Sequence, residues 1–140
     1  MRRLILLAAG ALAIAAVAAP AAWAGSPHFV GNATASASGN TLSVSAKEAG
    51  LGDEAQIVGV LSADALCING GGHHPKAVNK TSVSQTSTEP VQNGQATYTI
   101  SATATFQPSC SPPMTVEFTN IKLVDTTNGL RATVVPTTVP

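Results

Sequence analysis

The chain has 140 residues, of which only 10% are charged and 4% aromatic, and its seven basic side chains balance seven acidic ones. This length suits one domain with a modest core. The balanced charge argues against binding to nucleic acid and against electrostatic attachment to anionic membranes, because both need a basic surface.

Residues 1–24 have the pattern of a secretory signal peptide. Two arginines follow the first Met, an apolar run without polar side chains extends from Leu4 to Ala19, and Ala22-Trp23-Ala24 offers the small-x-small pattern that signal peptidase accepts. We therefore expect a secreted protein that begins at Gly25 with five basic and seven acidic residues, a net charge of −2. An uncleaved membrane anchor is the alternative. No second apolar run of spanning length follows, so no membrane span is expected after cleavage.

The first part of the expected mature chain alternates between small apolar and hydroxyl side chains. Ala33 to Ser38 and Leu42 to Lys47 each have period two, and Gly39-Asn40 between them suits a tight turn. These residues predict an opening hairpin. Glu48 to Glu54, which contains two glycines, is predicted to be a loop.

An apolar segment and a polar segment flank a glycine-rich loop in the middle of the chain. Ala55 to Leu61 is apolar on both faces, which is typical of a central strand, and it leads to Cys67. Asn69 to Asn79 contains three consecutive glycines and Pro75, which exclude a regular strand or helix. Thr81 to Thr88 is polar and β-prone, so we predict an edge strand.

The last third of the chain contains the clearest strand pattern. Gln95 to Phe106 alternates apolar residues with threonine and serine, which predicts a long strand. Between Met114 and Leu123 the apolar positions change parity near Asn120, which indicates a β-bulge or a strand that passes between sheets. Asn128-Gly129 predicts a type I′ hairpin turn before a last strand over residues 130–134.

These elements predict an all-β protein, an antiparallel Greek-key sandwich of immunoglobulin-like type with about seven strands. It would occupy residues 25–135 and be followed by a flexible tail over residues 136–140. A small β-barrel is the alternative. Cys67 and Cys110, the only cysteines, would most simply pair in an oxidising compartment. Their bond would tie the glycine-rich loop to the end of the long strand.

The loop next to Cys67 is a possible recognition element, because a long glycine-rich loop tethered by a disulfide can present side chains to a partner. The residues singled out there are Asn69, His73, His74, Asn79 and Lys80. His73 and His74 are also weak candidates for binding zinc or copper, with His28 or Asp64 as a further ligand. No third ligand has a recognisable spacing, so no cofactor is expected.

The sequence contains no recognisable catalytic set. The seven carboxylates show no spacing that would place two of them across a cleft, and most are predicted to be solvated. No serine lies in a Gly-x-Ser-x-Gly motif. We therefore expect a non-enzymatic extracellular or cell-surface interaction module, whose partner is a protein, a polymer or a small ligand. One alternative is a small-molecule or metal-ion carrier, and another is a protease inhibitor with the segment Ser109 to Met114 as its bait loop.

Several segments resemble small secreted actinobacterial proteins of unknown function. They are Leu42 to Gly52, which includes Lys-Glu-Ala-Gly-Leu-Gly, and Cys67 to Lys80, which begins Cys-Ile-Asn-Gly-Gly-Gly-His-His-Pro; the segment Val124 to Gly129 is similar too. This resemblance implies no particular activity. The expected architecture is also similar to that of the enediyne apochromoproteins, secreted immunoglobulin-like sandwiches that carry a small hydrophobic ligand. This chain has one possible disulfide where they have two.

Overall fold

The structure, a computed structural model, describes residues 25–69 and 79–140. Within these ranges the regular secondary structure consists of nine β-strands. They are β1 (His28–Phe29), β2 (Ala33–Ser38), β3 (Thr41–Ala49), β4 (Gln56–Ile68), β5 (Lys80–Pro90), β6 (Gln95–Thr103), β7 (Thr115–Asp125), β8 (Leu130–Arg131) and β9 (Val134–Val135). The predicted signal peptide, residues 1–24, lies outside the described residues and stays a prediction.

The strands form two sheets that pack face to face. In the first sheet β3 pairs with β6 on one side and with β1 and β2 on the other, and β9 extends the sheet beyond β2. The second sheet has the order β5-β4-β7-β8. All pairs are antiparallel except β2 with β9. The chain passes from β5 in the second sheet to β6 in the first, and it returns to the second sheet at β7, which pairs with β4. With these crossings the fold is the predicted immunoglobulin-like Greek-key sandwich and not a closed barrel.

Alternating side chains from both sheets build the core. Every second residue of β6, from Ala96 to Ala102, is buried, while the intervening threonines and the serine are exposed. Tyr98 of the first sheet and Phe118 of the second are the largest fully buried side chains. The predicted hairpin, central strand and edge strand are confirmed as β2–β3, β4 and β5.

The turn before β8 differs from the predicted type I′ hairpin. Asp125 pairs with Leu130, so the connection has four residues, and Gly129 alone among them has a positive φ, of 70°. A type I′ turn needs a positive φ at both central residues, which Asn93-Gly94 satisfies with 52° and 70°. The longer connection includes Thr126 and Thr127, whose side chains form hydrogen bonds with the backbone of Val58 on β4.

The C-terminal residues contribute to both sheets. The predicted strand over residues 130–134 is split into β8 and β9, which lie in different sheets. Residues 136–140 were expected to form a flexible tail. In the structure Val139 is buried, and its backbone N–H and C=O both pair with the backbone of Phe118, at 3.0 and 2.8 Å.

Deleting residues 137–140 is therefore expected to lower the free energy of unfolding. The deletion uncovers the apolar surface that Val139 covers and frees the backbone groups of Phe118 on β7. Full burial of a valine side chain is worth about 2 kcal/mol. Urea unfolding followed by circular dichroism would measure the loss. A chain that lacks only Pro140 is the control. Equal free energies of unfolding for the two shortened chains would contradict the expectation.

Candidate functional site

The described parts of the predicted recognition loop lie at one end of the second sheet. Asn69 directly follows β4 and Asn79 directly precedes β5, while Lys80 is the first residue of β5 and pairs with Leu66. His73 and His74 lie outside the described residues, so their predicted roles in recognition and metal binding stay predictions. Lys80 connects this loop to a polar cluster on the outer face of the sheet.

The cluster is centred on Asp64, whose partly exposed side chain points away from the core on β4. Asn120 of β7 donates a hydrogen bond from Nδ2 to Asp64 Oδ2 at 2.7 Å. Ser82 of β5 donates from Oγ to Oδ1 at 3.1 Å. Three strands thus contribute one side chain each, and both carboxylate oxygens have a fixed partner. We refer to Asp64, Ser82 and Asn120 as the Asp64 cluster.

A β-bulge in β7 places Asn120 in this cluster. Ser62 pairs with Lys122 and Asp64 pairs with Thr119, so β7 has one more residue than β4 between these two pairs. Asn120 absorbs the extra residue with a φ of 52°, in the left-handed region that asparagine tolerates better than most residues. The bulge confirms the predicted change of parity. It also directs both Asn120 and Lys122 outward, next to Asp64.

The charges around the cluster keep Asp64 ionised. The hydrogen bonds from Asn120 and Ser82 lower the pKa of Asp64, and the positive charges of Lys122 and Lys80 act in the same direction. Both lysines are exposed, so they remain accessible to a ligand. The site therefore combines one fixed carboxylate with one cationic group on either side of it.

Two open depressions adjoin Asp64 on this face. One, of about 510 Å³, lies between the cluster and Lys122 and is bordered by Ser62 and Ser84. The other, of about 370 Å³, lies between the cluster and Lys80 and is bordered by Thr119. Their walls offer hydroxyl groups, an amide and ammonium groups. Such a surface can exchange hydrogen bonds with hydroxyls and carboxylates of a ligand.

The described residues hold no group of three His, Cys, Asp or Glu side chains that could bind a metal ion. His28 and Asp64, the suggested additional ligands, lie in different sheets, and the Nδ1 atom of His28 is hydrogen-bonded to the carbonyl oxygen of Ser26 at 2.8 Å. The predicted metal-ion carrier therefore rests on the two histidines outside these residues.

The segment suggested as a protease bait loop folds back on the disulfide. The N–H of Met114 donates to the carbonyl of Ser111 at 3.0 Å, which closes a turn. The Met114 sulfur lies 3.7 Å from Cys67 Sγ and is partly buried. The disulfide between Cys67 and Cys110 is confirmed. Inhibition of a protease by this loop stays a prediction.

Sequence patterns alone did not single out the Asp64 cluster. Ser82 is 18 positions from Asp64 along the chain and Asn120 is 56 positions from it, and only the pairing of β4 with both neighbours brings the three residues together. The one local signal was the parity change near Asn120, which located the bulge. No protein-family model, curated protein or solved structure matches this chain. None of the described residues belongs to a helix that could cross a membrane.

Proposed function

We propose that the protein is a secreted, non-enzymatic interaction module that binds an extracellular ligand through the Asp64 cluster and the flanking Lys80 and Lys122. The observation that carries the proposal is the bulge at Asn120, which fixes a polar group beside an ionised carboxylate on an exposed sheet. Bulges occur preferentially next to functional sites, because they redirect side chains.

The chemistry of the face favours a polar ligand. Two ammonium groups can bind carboxylates, and Asp64 accepts hydrogen bonds from hydroxyl or amide groups of the same ligand. The ligand would be a surface polymer or a protein segment that carries both kinds of group. Ser82 donates a hydrogen bond to Asp64 and thereby orders the carboxylate for binding. The Cys67–Cys110 disulfide supports an extracellular location, since such bonds persist in oxidising compartments.

Sedimentation with the cell envelope of the producing organism tests the proposal. We expect the protein to co-sediment with the envelope, and the substitutions Lys122→Ala and Asp64→Ala to abolish that retention. Lys47→Ala is the matched control, because Lys47 is an exposed lysine on the outer face of the opposite sheet. Circular dichroism would verify that each variant is folded. Equal retention of all the variants would show that this face is not the binding site. No retention of the unaltered protein would show that the cell envelope does not carry the ligand.

A further inference from the structure

Two acidic side chains lie fully buried where the two sheets meet. Glu48 is near the end of β3 in the first sheet, and Asp125 is the last residue of β7 in the second. Glu48 was predicted to lie in a loop and most carboxylates were predicted to be solvated, and both predictions are wrong here: Glu48 belongs to β3, and Glu48 and Asp125 are buried. Burying a carboxylate without compensation is costly, so the partners of each oxygen determine the charge that the pair can carry.

Asp125 has its hydrogen-bond partners within its own turn. Its Oδ1 accepts from the N–H of Thr127 at 2.8 Å, and its Oδ2 accepts from the N–H of Asn128 at 3.2 Å and from Asn128 Nδ2 at 2.8 Å. Both oxygens of Asp125 therefore have hydrogen-bond donors inside the protein. These donors also anchor the connection between β7 and β8 to this carboxylate.

Only one of the two carboxylate oxygens of Glu48 has a hydrogen-bond partner. The hydroxyl of Tyr98 donates to Glu48 Oε2 at 2.9 Å, whereas the buried Oε1 has no hydrogen-bond partner. The side chain of Asp125 lies within hydrogen-bonding reach of Glu48, so a proton on the Glu48 carboxyl would allow it to donate a hydrogen bond to Asp125. The same proton would remove the repulsion between two buried negative charges.

We propose that Glu48 and Asp125 share one buried proton, and that this carboxyl pair is a pH-sensitive latch between the two sheets. The proton bridges β3 to β7 across the interior. Loss of the proton leaves two buried like charges that repel each other, which favours separation of the sheets at this end of the sandwich.

The groups that surround Glu48 act on its pKa in opposite directions. Tyr98 of β6 and Glu54, which lies in the connection before β4, act on Glu48. Glu89 of β5 acts on Tyr98. Burial raises the pKa of Glu48 to about 7, and the negative charges of Asp125 and Glu54 add to the increase, while the hydrogen bond from Tyr98 opposes it. Burial also raises the pKa of Tyr98, so its hydroxyl keeps its proton.

The sign of the effect on stability follows from these pKa values. In the unfolded chain Glu48 has an ordinary pKa of 4.5, whereas in the folded protein the value is about 7. The folded state therefore retains a proton that the unfolded state releases. This contribution to stability is fully present below pH 4.5 and is lost as the pH rises through about 7. The unfolding equilibrium constant would increase about 300-fold over this range.

Urea unfolding of the disulfide-bonded protein across this pH range tests the latch. We expect the midpoint for the unaltered protein to fall with rising pH and the midpoint for Glu48→Gln to change little, since glutamine donates a hydrogen bond without titrating. Glu117→Gln is the control, because Glu117 is a partly exposed carboxylate on the same strand as Asp125 and should keep the full pH dependence. Equal pH dependence of Glu48→Gln and the unaltered protein would overturn the proposal.

A second measurement does not depend on the folding of any variant. Infrared spectroscopy of the unaltered protein should show a buried protonated carboxyl band at pH 6 that disappears as the pH is raised through about 7. Absence of that band in the folded protein would overturn the proposal.

Discussion

Removing the disulfide between Cys67 and Cys110 is expected to lower the free energy of unfolding by about 4 kcal/mol. The bond joins residues 43 positions apart, and closing a loop of this size restricts the unfolded chain by about that amount on the chain-entropy model. Domains of this size are stable by only about 5–15 kcal/mol. The bond is therefore a large part of the total stability.

Urea unfolding of the oxidised protein and of the protein reduced with a thiol reagent measures this contribution. Reduction keeps both sulfur atoms, so it measures the effect of the cross-link alone. The double substitution Cys67→Ala and Cys110→Ala would combine the loss of the cross-link with the loss of side-chain packing. We also expect the free energy of unfolding to fall more steeply with urea concentration after reduction, because the unfolded chain without the cross-link exposes more surface. An unchanged midpoint would show that the cross-link adds nothing.

The disulfide also bears on the proposed binding face. Cys67 is three residues beyond Asp64 on β4, and it pairs with Val116 of β7 near the end of the sheet. Both residues of that pair contribute to the core beneath the face. If the reduced protein remains folded, the Asp64 cluster should keep its geometry, since the hydrogen bonds from Ser82 and Asn120 come from paired strands. Retention on the cell envelope should then survive reduction.

The fold class could be predicted because apolar and polar residues alternate along individual strands. In β6 the alternation of apolar and hydroxyl residues specifies which face is buried, and in β7 the parity change specifies the bulge. The pairing of β3 with β6 had no such signal. It joins Thr41 to Thr103, and long-range pairing of this kind depends on the packing of the whole sandwich.

For the two buried acids, Glu48 and Asp125, the residue type led to a wrong prediction of solvent exposure. Glu48 continues the inward-facing positions of Leu42 and Val44 on β3, and Asp125 continues those of Ile121 and Leu123 on β7. Period two alone therefore pointed both side chains into the core. The prediction instead followed the general rule that carboxylates are solvated. Only the three-dimensional structure supplies the tyrosine hydroxyl and the turn amides that make their burial tolerable.

Replacing Gly59 with alanine is expected to cost about 3 kcal/mol, at the upper end of what overpacking a core usually costs. Gly59 is the fourth residue of β4 and lies directly beneath the ring of Tyr98. An alanine Cβ there would lie 2.7 Å from Tyr98 Cδ1 and closer still to Cε1. The ring cannot easily move, because its hydroxyl is bound to Glu48 and its face packs on Phe29 with 5.9 Å between the ring centres.

A double-mutant cycle with Tyr98→Leu separates this clash from any other effect of the added methyl group. If the ring is the obstacle, Gly59→Ala should destabilise the Tyr98→Leu protein much less than the unaltered one, with a coupling of about 1–3 kcal/mol. Equal losses in both backgrounds would show that the strand, and not Tyr98, rejects the methyl group. The same cycle bears on the latch, because a displaced ring no longer donates its hydrogen bond to Glu48 Oε2. Since that bond lowers the pKa of Glu48, Gly59→Ala should shift the alkaline loss of stability to higher pH.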